Sequence, residues 1–178
     1  MQDENPNKSK RVLKILLPFL LVCIVISIWV VKNSKGDVVS EGNGNPDFAL
    51  HVTQDIELEK LKSYRLPIII DFGADSCIPC KEMAPVLEEL NQELQGKAIV
   101  KFVDVWKYKD LAKGYPINLI PTQVFIDAKG QPYQPSDPES KQLNLYSLKD
   151  TGEHAFTTHE GSLTKEQLLD ILTEMGLK

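Results

Sequence analysis

Cysteine and histidine are both scarce in this chain, three of each in 178 residues. A structural zinc site needs four ligands, supplied by two Cys-x-x-Cys pairs or by one pair with two well-placed histidines. One pair is present, Cys77-Ile78-Pro79-Cys80, and His51, His154 and His159 are scattered around it. Neither a bound metal nor a cofactor is expected. Basic charge is also in deficit. The net charge is −5, and the first 14 residues hold four bases and two acids, so the remainder carries −7. That balance argues against a nucleic-acid partner for everything beyond residue 14. Internal repeats are absent, and the 42% hydrophobic and 25% charged fractions are ordinary for a globular chain.

Charge-free runs long enough to cross a bilayer are lacking too, with one exception. Ile15 to Val31 contains no charged residue, and with Val12 and Leu13 it reaches the length a bilayer requires, Lys14 snorkelling at its edge. The competing reading is a cleaved signal peptide, which would be shorter and followed by a small-x-small site. Here the run ends Ile28-Trp29-Val30-Val31-Lys32, where Trp29 suits an interfacial anchor. Val22 before Cys23 also fits a lipoprotein processing site poorly. Four bases precede the span and two follow it, which favours a cytoplasmic N-terminus and an extracytoplasmic remainder. The organisation read from this is a tail at 1–11, one N-terminal transmembrane helix at 12–31, and a Gly-, Asn- and Ser-rich flexible linker at 32–46. A globular domain at 47–178 follows.

Within that domain, Asp55 to Tyr64 shows Ile56, Leu58 and Leu61 among charges and predicts a short helix. Leu66 to Phe72 is a β-branched run suited to a strand buried on both faces. Met83, Val86, Leu87, Leu90 and Leu94 recur at helical spacing up to Gly96, with Pro85 kinking the helix. Ala98 to Val105 reads as a strand and Asp110 to Tyr115 as a short helix. Thr122 to Asp127 reads as a strand whose Ala128-Lys129-Gly130 turn suggests a hairpin, extended by the Leu143–Leu145 alternation. Thr164 to Met175 predicts a final helix with Leu168, Leu169 and Leu172 inward, Thr164 as cap and Gln167 completing a capping box. Strands alternating with helices give an α/β sandwich around a central mixed sheet.

The chemistry lies at Asp71-Phe72-Gly73-Ala74-Asp75-Ser76-Cys77-Ile78-Pro79-Cys80-Lys81, a strand-to-helix junction. Cys23 belongs to the apolar span, so Cys77 and Cys80 have only each other as partners. A disulfide closing so small a loop stabilises little, which points to exchange rather than to structure. At a helix N-terminus the dipole lowers the Cys77 pKa and favours an attacking thiolate, with Cys80 one turn further in as the resolving thiol. Pro79 fixes the turn without adding a backbone N–H. Asp71 ends a hydrophobic strand, where desolvation raises its pKa.

Those residues resemble the thioredoxin family. Asp71-Phe72, Cys77-Ile78-Pro79-Cys80-Lys81 and Ala84-Pro85 match its core signature. Ile120-Pro121-Thr122, 44 positions beyond Cys77, matches its cis-proline tripeptide, and Gly161 its late glycine. The resemblance covers most of Phe48 to Lys178 and implies a thioredoxin-like fold. It implies Asp71 as proton acceptor and donor for Cys80, and a cis Pro121 that exposes the Ile120 backbone to a substrate strand. Ile78 and Pro79 would flank that strand. The implied partners are disulfide-containing protein substrates, together with a membrane thiol-electron donor of the kind that supplies anchored relatives in cytochrome c maturation or disulfide repair.

Ser76 stands where the family has Trp, and Asp75 beside it would disfavour the Cys77 thiolate by like-charge repulsion. Both make the pair more reducing. Roughly two dozen residues are inserted near 134–152, either for partner selectivity or as a surface excursion. His154 and His159 follow, at a spacing that places them on opposite sides of a strand. The leading reading is a membrane-tethered disulfide reductase. Its rivals are an oxidase or isomerase with the same residues, a copper metallochaperone using Cys77, Cys80 and a histidine, and a non-catalytic adaptor.

Overall fold

The computed structural model describes residues 45–178. The expected tail, the transmembrane helix at 12–31 and the linker up to residue 44 lie outside them. Among the described residues no helix is long and apolar enough to cross a membrane. Asn45 and Pro46, the last residues assigned to the linker, are built into the domain. The Asn45 side chain accepts from Asp47 N at the start of a short 3-10 turn, Pro46–Phe48, and donates to the Tyr64 hydroxyl.

The β-branched run forms β1 (Ile68–Gly73), buried at every position because both faces of the sheet are covered. β2 (Ile99–Asp104) runs parallel to it, with Asp71 opposite Phe102. On its other side β3 (Thr122–Ile126) is antiparallel, with Asp71 opposite Gln123. β5 (His154–Glu160) pairs antiparallel with β3, with Gln123 opposite His159. β4 (Leu143–Ser147) closes the far edge against β5, giving the order β2-β1-β3-β5-β4. The sheet is mixed, and β1 is at neither edge.

One face packs under α2 (Ile78–Glu93) and α3 (Lys165–Glu174). Met83, Leu87 and Leu90 from α2, and Leu168, Ile171 and Leu172 from α3, meet Ile69, Phe102 and Phe125 of the sheet. The other face buries Ile68, Ile70, Phe72 and Val124 against Phe48, Ile56 and Leu61, the last from α1 (Leu58–Ser63). The α/β sandwich with a central mixed sheet is therefore present. The Thr164–Gln167 capping box forms in full and starts α3 at Lys165.

Several elements differ from the sequence reading. The first helix begins at Leu58 rather than Asp55, because the Asp55 carboxylate accepts from Glu57 N and Glu57 turns to φ 47. Beyond β2 only a single 3-10 turn forms, Lys109–Ala112, followed by extended Lys113 and by Gly114 at φ 86. Ile171 is buried in α3 where Leu169 was expected, and Leu169 packs at the margin.

The turn at 128–130 forms, with Gly130 N donating to Asp127 O, but its return is one bridge, Ile126 to Pro132. The segment that follows pairs with β5, so Leu143 and Leu145 do not extend the hairpin of β3. Part of the insertion rests on α3. Ser136 and Tyr133 donate to the Glu174 carboxylate, and Lys141 pairs with both Asp170 and Glu174.

Two truncations contrast core with edge. Leu90→Ala empties a fully buried position under α2 and is expected to cost about 2–5 kcal/mol in a urea melt. Leu145→Ala, on the edge strand with 49% of its surface exposed, should change stability by no more than about 0.5 kcal/mol.

Candidate active site

The chain leaves β1 at Gly73 and enters α2 through the cysteine pair. Cys77 is the N-cap of α2, with extended backbone (φ −79°, ψ 127°), and its sulfur accepts from Cys80 N at 3.4 Å. Pro79 lies in the first turn, where a missing N–H costs no helical bond. That turn carries no acidic side chain, so the positive end of the helix dipole acts on the sulfurs unopposed within it. Cys77 and Cys80 are joined as a disulfide, and both are buried, Cys80 more deeply. Ile78 projects outward, 73% exposed.

Across from the pair lies the loop entering β3. The Ile120–Pro121 peptide is cis, and Ile120 O approaches Cys77 Sγ to 3.9 Å. Ile120 packs on Ala74, Cys77 and Cys80. The Thr122 hydroxyl donates to Leu119 O at 2.7 Å, and Gly161 N donates to Pro121 O at 2.8 Å. These bonds hold the loop against β3 and the end of β5. Ser162 Oγ donates in turn to Pro79 O. Ile78, between the two cysteines, and Leu119, one residue before Ile120, are exposed large hydrophobics.

Asp71 lies beneath, 1% exposed. Burial pushes its carboxyl from the ordinary 3.8 up to about 7, and a hydrogen bond from Gln123 opposes that rise. Gln123 Nε2 donates to Asp71 Oδ1 at 2.7 Å, whereas Oδ2 has no partner among the described residues. A Cβ placed on Gly73 would lie 3.2 Å from Asp71 Oδ2, 3.3 Å from Cys80 Sγ and 2.9 Å from Phe102 Cε2. The free carboxyl oxygen and the inner sulfur therefore border one small space, kept open because residue 73 has no side chain.

All seven residues singled out from sequence lie around this junction. Cys77, Cys80, Ile78 and Pro79 form the helix entrance, Ile120 and Pro121 face it, and Asp71 is below Cys80. Three further residues belong to this constellation that were given no role in it from sequence: Gly73, Gln123 and His159. A glutamine inside an otherwise apolar strand was the available signal, since a buried amide must find partners. His154 and His159 do not meet. His154 Nε2 lies 2.9 Å from Thr157 Oγ1, whereas His159 Nδ1 lies 3.0 Å from Gln123 Oε1. Among the described residues no three His, Cys, Asp or Glu side chains are grouped to hold a metal.

The expected repulsion of Cys77 by Asp75 needs correction. Lys107 pairs with the Asp75 carboxylate at 2.5 Å, and Asp75 N donates to Asp104, whose other oxygen accepts from Trp106 N and Lys107 N. The loop after β2 thus brings a cation to the very residue whose charge was unfavourable.

A buried carboxyl under a helix-capping disulfide that faces a cis-proline loop defines a dithiol–disulfide exchange protein. The chain belongs to the thioredoxin family, whose sequence model matches residues 49–150, and it is a thiol–disulfide oxidoreductase. It is 37% identical over 76 residues to a thioredoxin of Mycoplasmoides gallisepticum, covering 43% of this chain and 75% of that one. It is 49% identical over 55 residues to thioredoxin C-2 of Corynebacterium nephridii, covering 31% of this chain and about half (51%) of the relative. A solved structure of a mutant thioredoxin from Halobacterium salinarum is similar with a TM-score of 0.52 and 25% identity, covering 77% of this chain and 99% of that one.

Ionisation of Asp71 has a signature in stability. In the folded state it stays protonated up to about pH 7, whereas the unfolded chain releases that proton near ~4. Between these values the native state binds more protons, so stability falls as pH rises and levels off above the folded pKa. Asp71→Asn removes that loss. The stability of the oxidised variant minus that of the native protein, from urea melts, should grow from about pH 4 to about pH 7 and plateau on the order of 4 kcal/mol.

Proposed function

We propose that this protein is a membrane-tethered, extracytoplasmic disulfide reductase. The observation that carries the reductive chemistry is the Cys77–Cys80 disulfide at the start of α2, with Asp71 buried beneath Cys80 and Ile120 O beside Cys77. In the reduced protein the Cys77 thiolate, favoured by the helix N-terminus, attacks one sulfur of a substrate disulfide. A Cys77–substrate disulfide forms and the other substrate sulfur leaves as a thiolate. The Cys80 thiol passes its proton to the Asp71 carboxylate, directly or through one water, and the resulting thiolate attacks Cys77 Sγ. The Cys77–Cys80 disulfide closes and the second substrate sulfur departs. Two electrons have moved from the protein to the substrate, and the two substrate thiolates take up protons from solvent.

Ile120 and Pro121 hold the substrate backbone opposite Cys77, with Ile78 and Pro79 on its other flank. Exposed Ile78 and Leu119 offer apolar contact on either side. Replacement of Trp by Ser76 supports the reducing direction, because less stabilisation of the thiolate makes the oxidised pair the more stable form. The charge-free run from Ile15 to Val31, with the basic excess before it, supports a tether and an extracytoplasmic domain. A domain so placed draws its electrons from a membrane thiol donor.

Two experiments test this reading. In intact cells, full-length Cys80→Ala should accumulate mixed disulfides through Cys77 with both client and donor, and a membrane-impermeant thiol reagent should reach Cys77. Protection of Cys77 until the membrane is permeabilised would overturn the extracytoplasmic placement. Redox titration of the full-length protein should give a potential in the reducing range, about −270 mV or lower. A value near about −120 mV, typical of strong oxidants, would establish the oxidase instead.

A further inference from the structure

Three strands carry polar side chains side by side on the sheet face that also holds Ile69, Phe102 and Phe125. Asp71 on β1, Gln123 on β3 and His159 on β5 occupy one cross-strand row, with Phe102 and Leu143 at its two ends. Gln123 has none of its surface exposed and His159 5%. Every polar atom of the glutamine amide is used. Nε2 donates to Asp71 Oδ1 at 2.7 Å and to Gly161 O at 3.1 Å, and also touches Met83 Sδ at 3.4 Å. Oε1 faces His159 Nδ1 at 3.0 Å. The polarity of this chain follows from its ends. Asp71 Oδ1 and Gly161 O call for a donor, so the amide must present its NH2 to them and its oxygen to the histidine. His159 Nδ1 must then carry the proton.

We propose that Gln123, locked by His159, is a positioning residue for proton transfer at Cys80: it occupies Asp71 Oδ1 and leaves Oδ2 as the single open acceptor, aimed into the Gly73 space beside Cys80 Sγ. The role rests on the assignment of that proton to Asp71.

Buried amides are costly unless fully paired, and this one is paired only in the orientation that donates to the carboxyl. A hydrogen bond to a carboxylate favours its ionised form, so Gln123 also keeps Asp71 able to accept a proton near neutral pH despite burial. Around Asp71, β2 contributes Phe102, α2 contributes Cys80 and Met83, β3 contributes Gln123, and β5 acts through His159. Of these, Cys80 and His159 are titratable. Burial holds His159 toward its neutral form, against Gly161 and Glu160, which favour the charged one. A neutral ring with its proton on Nδ1 suffices for the lock, so His159 works as a fixed donor and not as a titrating group.

The test uses the full-length oxidised protein with 13C-labelled aspartate carboxyls, and in parallel the rate at which the reduced protein resolves a Cys77 mixed disulfide as a function of pH. Gln123→Leu should raise the Asp71 midpoint by about one pH unit or more. The rate profile should move with it, slowing resolution about tenfold at pH 6.5. His159→Leu should shift both in the same direction, and His159→Asn, which keeps an N–H at the place of Nδ1, should restore both. A folded Gln123→Leu protein with an unmoved midpoint overturns the proposal, as does a His159→Asn variant that behaves like His159→Leu. If the midpoint moves while the rate profile stays, Asp71 does not take the Cys80 proton, and the proposal falls with that assignment. Asp71→Asn, then resolving with the native profile, identifies this second case.

Discussion

Burial of one carboxyl shapes this molecule more than any other single constraint. A strand in the middle of a sheet covered on both faces leaves its side chains no water, and Asp71 sits on such a strand. An ionised carboxylate there is heavily penalised, so the surroundings must either neutralise it or supply hydrogen bonds. They do part of each. Burial carries the pKa to about 7, and Gln123 supplies one donor. The second oxygen is left to face Cys80 across a glycine. A group balanced between its two protonation states beside a sulfur that must gain and lose a proton is the requirement for general acid–base work.

The rest of the architecture brings parts to that point. α2 starts where β1 ends, so the positive end of its dipole and the capping sulfur arrive together above Asp71. Antiparallel pairing of β3 with β1 brings the cis-proline loop to the same end of the sheet. Pairing of β5 with β3 then lays His159 behind Gln123. Phe102 reaches over from β2 toward the place a side chain at residue 73 would fill. The inserted segment contributes at a distance. Its strand extends the sheet on the edge away from β1, and Tyr146 on that strand accepts a hydrogen bond from Asn118 in the loop that leads to Pro121.

Much of this was legible in the amino-acid order because it depends on local spacing. The Cys-x-x-Cys pair announces a helix N-terminus and the β-branched run before it a buried strand, whereas Ile120-Pro121-Thr122 was placed opposite them by the resemblance to the thioredoxin family. The capping box at Thr164 and Gln167 marked the last helix closely, since cap and helix share the same few residues. Some errors were local, and others fell where longer-range pairing decides. Asp55 reads as the start of a helix but spends its carboxylate on a turn. Leu143 and Leu145 alternate as a strand should, yet alternation does not say which neighbour the strand will choose. Asp75 looked unfavourable beside Cys77 because Lys107, the cation that pairs with it, is remote in sequence.

The amino-acid sequence by itself determined the chemistry available here: two thiols one helical turn apart, a carboxyl six residues before the first, and a proline in a recognisable setting. The thiols and the carboxyl are set by residues close along the chain, whose geometry follows from helix and strand periodicity, and the proline by its likeness to the family's tripeptide. The tertiary structure alone decided how the carboxyl is held. Gln123 reaches Asp71, and His159 reaches Gln123, through strand register, and register arises from the packing of the whole sheet rather than from any short stretch of it. That is why Asp71, Cys77 and Cys80 could be singled out in advance, and the side chains packed behind Asp71 could not.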